Sequence, residues 1–143
     1  ARSYNDPLWS HRVEKPANPA AGANLSFTVG RMRLYQVQSV KLTLVTDANA
    51  ADRTVRILVT DGIDQIMRFE ASAVQAANLN RDHLFMPYGF QPTTLVSGIY
   101  SQMRKLHLHR NWVLSTAINN IQAGDQISSV LIDTLYRTVR FPD

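Results

Sequence analysis

The sequence predicts an all-β fold: an antiparallel β-sandwich of the jelly-roll kind, with about eight strands and an extended N-terminal arm. Three observations predict it. From Asn24 onward apolar residues recur at every second position, the spacing of strands with one buried face. The runs are short and are separated by Gly, Pro, Asn and Asp turn signals. Almost nothing in the chain repeats at helical spacing.

The first 22 residues, ARSYNDPLWSHRVEKPANPAAG, show neither alternation nor helical periodicity and hold Pro7, Pro16 and Pro19. They read as an arm, residues 1–22, ahead of a sandwich domain at 23–143. The domain opens with Leu25, Phe27 and Val29 alternating with Ser26 and Thr28, and Gly30 ends that run. In RLYQVQSVKLTLVT the phase changes: Tyr35 and Val37 share one face, whereas Val40, Leu42 and Leu44 share the other. A bulge near Gln38-Ser39 reconciles the two. After the loop DANAAD, Val55, Ile57 and Val59 face inward. Asp61-Gly62 then supplies a turn, because glycine accepts positive φ without steric cost, and Ile63 to Glu70 returns as the hairpin partner.

The alanine-rich stretch ASAVQAANLN is expected to form a helical turn or two, started by Ser72. Arg81 to Met86 reads as a strand. The segment PYGFQPTTLVSG reads as a long loop, because Pro87, Gly89 and Pro92 block regular structure. Strands follow at Arg104 to His109, Trp112 to Ile118 and Ile127 to Tyr136, the last two joined by NNIQAGDQ. In the final strand strict alternation places Ile127, Leu131 and Leu135 on one side and Val130, Ile132 and Tyr136 on the other. With both faces apolar, it is expected to be a central strand or part of a subunit contact. Val130, Ile132 and Tyr136 are the expected oligomer contact.

A chain of 143 residues suits one domain, which at this size buries roughly 70% of the surface its unfolded form exposes. It contains no cysteine, which removes disulfides, thiolate metal sites and cysteine nucleophiles together. No apolar run approaches the roughly 20 residues of a bilayer span, and no basic segment leads into an apolar one at the start. The expectation is a soluble protein without signal peptide or membrane anchor. The triplet Asn24-Leu25-Ser26 then carries no meaning as a glycosylation site. The net charge of +4 is spread along the chain without runs, a poor footprint for nucleic acid, which favours cations gathered on one face. The basic excess is mostly arginine, whose planar fork suits carboxylate pairs at protein interfaces.

No catalytic grouping emerges. His107 and His109, two apart on a strand, point to one face as a metal pair would. Cupin jelly rolls add a nearby glutamate and a later histidine; neither follows here. The expected arrangement is Leu106 and Leu108 inward and the histidines outward. There is no G-x-S-x-G elbow, and Asp61, Asp64 and Glu70 sit at a turn and along its hairpin, where turn chemistry and solvation account for them. The glycines are isolated, so no phosphate-cradling loop exists. The expectation is a non-enzyme with no cofactor, no metal and no small-molecule substrate. Aromatic residues offer one alternative: Tyr88 and Phe90 on a loop, or Trp112 beside Asn111, provide rings and amides of the kind that bind sugars.

The arm offers another. Twenty-two extended residues reach at most about 70 Å, and ordering them costs ~1–2 kcal/mol per residue. Large anchors must offset that cost, at roughly 2–3 kcal/mol for each buried aromatic or leucine. Tyr4, Leu8, Trp9 and Val13 are the expected anchors, docking on the chain's own domain or on a neighbour. The run FTVGRMRLYQVQSVKLTLVTDANAADRTVRILVTDG, with INNIQAGDQISSVLI near the end, resembles the small β-sandwich virion proteins of tailed bacteriophages. The nearest type is the jelly-roll cement, or decoration, protein. The resemblance spans most of residues 24 to 136 and implies a virion protein on the capsid exterior, made in the host cytoplasm. It implies a homodimer or homotrimer that binds the major capsid protein and bridges its subunits, with no enzyme activity or cofactor. The same texture is similar to domains of phage tail and fibre proteins, for which a host-surface sugar would be the partner.

Overall fold

The computed structural model of the protein describes residues 9–30, 33–87 and 97–138. Among these residues, ten strands form two sheets around one core. The larger sheet runs β1 (Ser10–Glu14), β10 (Gln126–Thr138), β3 (Arg33–Val45), β6 (Asn80–Met86) and β7 (Ile99–Gln102), with β8 (Leu106–Leu108) beside the first part of β3. The smaller runs β2 (Ser26–Thr28), β9 (Val113–Thr116), β4 (Arg56–Thr60) and β5 (Gln65–Glu70). All strand pairs are antiparallel except β6 with β7, which is parallel and needs the long connection between them. The all-β sandwich expected from the alternation is the fold observed. The parallel pair departs from a wholly antiparallel one.

The phase change in β3 has the expected cause. Its register against β10 passes from Ser39 opposite Asp133 to Val37 opposite Thr134, leaving Gln38 as an extra residue. Tyr35 and Val37 on one side of that bulge and Val40, Leu42 and Leu44 on the other therefore all enter the core. A second bulge lies in β10, where Ser129 and Val130 together oppose Leu42 and Ser129 adopts a left-handed φ of 51°. This one corrects the reading of the final strand. It moves Ile127 to the same face as Val130 and Ile132, and all three are buried between the sheets. The expected oligomer contact at Val130 and Ile132 is thus the interior of the chain's own sandwich, at 2% and 0% exposure. Tyr136, on the same face nearer the rim, remains partly exposed and packs against Tyr35 with ring centroids 6.2 Å apart.

The Asp61-Gly62 turn forms as expected. Gly62 takes a φ of +99°, and Asp61 Oδ1 accepts the amides of Ile63 and Asp64, each at 2.8 Å. These bonds hold the Asp61 carboxyl below the ordinary carboxylate range. The expected helix in ASAVQAANLN does not form. Gln75 instead makes a two-bond backbone bridge to Arg53, at 2.8 and 2.9 Å, and turns its side chain into the interior. Residues 9–22, expected as an extended arm, lie along the sandwich, and five of them add β1 to its edge. Tyr4 and Leu8 lie outside the described residues.

Candidate interaction site

Two features stand out from an ordinary sandwich: a polar clamp at one end and a rim built by the N-terminal segment. The clamp centres on Arg53, whose side chain is wholly buried. Its Nε and Nη2 bond both oxygens of Asp125 at 2.9 and 3.1 Å, Nη2 also reaches Asp47 at 2.7 Å, and Nη1 donates to the Ala51 carbonyl at 2.6 Å. Asp125 also accepts the amides of Asp47 and Gln122. Burial favours its neutral form, but the Arg53 fork and these amides outweigh burial and hold its carboxyl below the usual range. Gly124 completes the clamp. Its amide bonds Asp47 Oδ2 at 2.9 Å, and a Cβ there would stand 2.8 Å from that oxygen. The turn in INNIQAGDQ is therefore part of one assembly with the DANAAD loop, tied by the fork geometry that suits arginine to carboxylates.

Next to the clamp, Gln75 donates to the carbonyls of Leu44 and Leu79 at 2.7 and 3.1 Å. Its Oε1 is left to accept, so the bond of 2.8 Å to His83 fixes the proton on Nε2. The other ring nitrogen of His83, Nδ1, is buried with no partner among the described residues. Burial first, and the Arg81 charge second, push the imidazole down to about 4 against the opposing pull of Asp82.

At the rim, β1 pairs with β10 from Ser10 opposite Tyr136 to Glu14 opposite Ile132. Glu14 receives a hydrogen bond from the Tyr35 hydroxyl at 2.8 Å and an ion pair from Arg12. Burial and the Glu14 acceptor push the Tyr35 phenol up to about 12. Trp9 stacks on His107, ring centroids 5.8 Å apart and planes at 21°, and Arg137 lies over the indole at 5.4 Å. His11 bonds Asp133. Beside this pair lies a groove of about 410 Å³ lined by Gln38, Ser39, Pro87, Lys105 and Leu135. Val13 is 39% exposed at the edge. Of the expected anchors, Trp9 and Val13 therefore stand on this rim.

The remaining candidates do not converge. Leu106 and Leu108 are buried and His107 is exposed, as the strand pattern implies. His107 faces Trp9 while His109 packs beside Trp112 at 4.8 Å, so the two imidazoles serve different neighbours. Asp61 serves its own turn and Glu70 pairs with Arg56 at 2.7 Å. Trp112 is partly buried against the core, and Tyr88 and Phe90 lie outside the described residues. No group of three potential metal-ligating side chains occurs among the described residues. No helix there is long and apolar enough to cross a membrane.

The sequence reading missed Arg53 and His83. A lone arginine in DANAADRT and a lone histidine in a strand give no local signal, although a basic residue between two apolar runs at a loop-to-strand junction is a place to look for a buried pair.

No protein-family model matches the chain, and no curated protein does. Among solved structures the chain is similar to a pentameric capsid protein isolated from metagenomic phage sequences, at 17% identity and a TM-score of 0.26. The match covers 80% of this chain and spans 60% of the length of that protein.

Proposed function

We propose that this protein is a structural component of a tailed-phage particle, a cement protein that binds the outside of the head and bridges major capsid subunits, acting without turnover or cofactor. The observation that carries the reading is the construction of the N-terminal segment. Ser10–Glu14 is held on the rim of the larger sheet as its edge strand, with Trp9 stacked on His107 beside it, and an edge strand is where a second molecule can reach the sheet. Two further features support a mechanical task. The Arg53 clamp ties the loop at Asp47 to the turn at Asp125, and the two sheets enclose one core. The sequence resemblance to virion sandwich proteins points the same way. In this role modest contacts of roughly 800 Å² per partner repeat around a symmetric shell and act together as avidity.

Co-sedimentation with expanded phage heads tests the reading. The full chain is expected to bind stoichiometrically, and a chain lacking residues 1–8, which retains β1, is expected to lose most of that binding. Heads that bind neither chain overturn it. A host-polysaccharide-binding module is the second reading, favoured by the ring pair of His109 and the partly exposed Trp112. Under that reading Trp112→Ala abolishes glycan binding while removal of residues 1–8 leaves it intact.

A further inference from the structure

Among the described residues, β1 pairs with β10 along its whole length and with no other strand. Its side-chain and backbone contacts follow the same rule. Thr134 Oγ1 donates to the Arg12 carbonyl at 2.7 Å, Tyr35 donates to Glu14, His11 bonds Asp133 and Trp9 stacks on His107. Every one of these partners sits on β3, β8 or β10, strands held in the sheet by one another and not by β1. The seat is therefore complete without its occupant.

The occupant is also loosely tethered. After Glu14 the chain runs through Lys15, Pro16, Ala17 and Asn18, of which all but Pro16 are exposed. It is next tied at Pro19, whose carbonyl accepts from Gln126 Nε2 at 2.7 Å, and at Gly22, whose amide bonds the Asp125 carbonyl at 2.7 Å. Four residues thus separate a strand that touches one edge from a body that stands without it.

We infer that β1 exchanges between copies of the protein: the Trp9–Glu14 segment of one protomer occupies the β10 edge of a second. The inference goes beyond the reading above and rests on it for the density of neighbouring copies. Contacts made across protomers are the same in kind and number as those made within one, so exchange forfeits none of them and only the hinge must open. Pro16 restricts the hinge and so reduces the freedom that favours folding back onto the same chain. From Glu14 to Pro19 an extended chain reaches at most about 17 Å. The acceptor edge must then lie beside the donor's own, which selects a closely packed second copy as the partner.

The absence of cysteine makes engineered thiols unique reporters. Val13 and Asp133 are register partners on β1 and β10, and partners in an antiparallel pair lie within reach of a disulfide. A chain carrying Val13→Cys is co-expressed with a size-tagged chain carrying Asp133→Cys, oxidised, and resolved on a non-reducing gel. Exchange predicts a disulfide between tagged and untagged chains as the main product, and covalent oligomers from the double variant. Closure of the double variant within single chains, with no mixed product, overturns it. Because Asp133 also holds His11, the pair Arg12→Cys and Thr134→Cys is read in parallel, with the same two outcomes. Head co-sedimentation separates the claims. Binding without mixed disulfides removes exchange and leaves the cement reading, whereas mixed disulfides without binding do the reverse.

Discussion

His83 should make this protein acid-labile between pH 6.5 and about 4. The ring is fully buried, its Nε2 proton is committed to Gln75, and among the described residues Nδ1 has no partner that could accept from a second proton. Its folded pKa is lowered from 6.5 to about 4, so between those values the unfolded chain binds a proton that the folded chain refuses. Stability must then fall as the pH drops from 6.5 toward 4 and level off, for this residue, below that. A displacement of this size at 1.36 kcal/mol per unit amounts to about 3 kcal/mol, a large share of a typical net stability of about 5–15 kcal/mol.

Urea melts followed by the fluorescence of Trp9 and Trp112 across that range measure the loss directly. The His83→Gln variant keeps an N–H donor for Gln75 but cannot titrate, and it should lose the acid-dependent component. Parallel stability profiles for wild type and variant between pH 6.5 and 4 would refute the reasoning. The lowered Asp125 carboxyl acts elsewhere: its contribution is present above 3.8 and is lost only as the pH falls below that value, toward its own lower pKa.

Arg53→Met should destabilise the fold by about 3–5 kcal/mol, since it strands the buried Asp125 carboxylate; combining it with Asp125→Asn, which removes the charge and keeps an acceptor for the amides, should recover part of the loss in the same urea melts. Gly124→Ala drives a Cβ against Asp47 and is expected to cost about 1–3 kcal/mol, whereas Gly62→Ala, in open space at positive φ, should cost only about 1 kcal/mol. Thermal melts that rank the two glycines in the opposite order would contradict the close approach at Gly124. Tyr35, raised from 10 to about 12, is deprotonated first in the unfolded chain. Stability should decline from pH 10 to about 12, by about 2–3 kcal/mol, and Tyr35→Phe should remove that decline in alkaline urea melts.

Much of the body was legible because its signals are local. Alternation places Val55, Ile57 and Val59 inside whatever lies opposite them, and a phase slip at Gln38-Ser39 demands an extra residue there. Asp61-Gly62 turns the chain through its own carboxylate and its own φ. Other elements carried no such mark. In β1 the sequence SHRVE has one apolar residue and no periodicity, and it becomes a strand only because β10 offers an unpaired edge. β7 is a four-residue strand following a sequence stretch that carries Pro87, Gly89 and Pro92, and its buried Ser101 earns its place by accepting the amide of Ser72. The second bulge, at Ser129 and Val130, hid within a run apolar on both faces. There the alternation reads equally well in either phase, and two apolar faces fit a central strand, which β10 is, as well as a subunit contact.

By itself the sequence determined that this chain is a β-sandwich, where most of its strands and turns fall, and that it lacks any thiol, because each of these follows from residues within a few positions of one another. Only the tertiary structure decided that Arg53 would be buried in a carboxylate fork, that His83 would be left with an orphaned nitrogen, and that Ser10 to Glu14 would join the sheet. The partners of those residues arrive from 72, 8 and 122 positions away. Whether a polar group is solvated, paired or stranded depends on what the folded chain brings beside it.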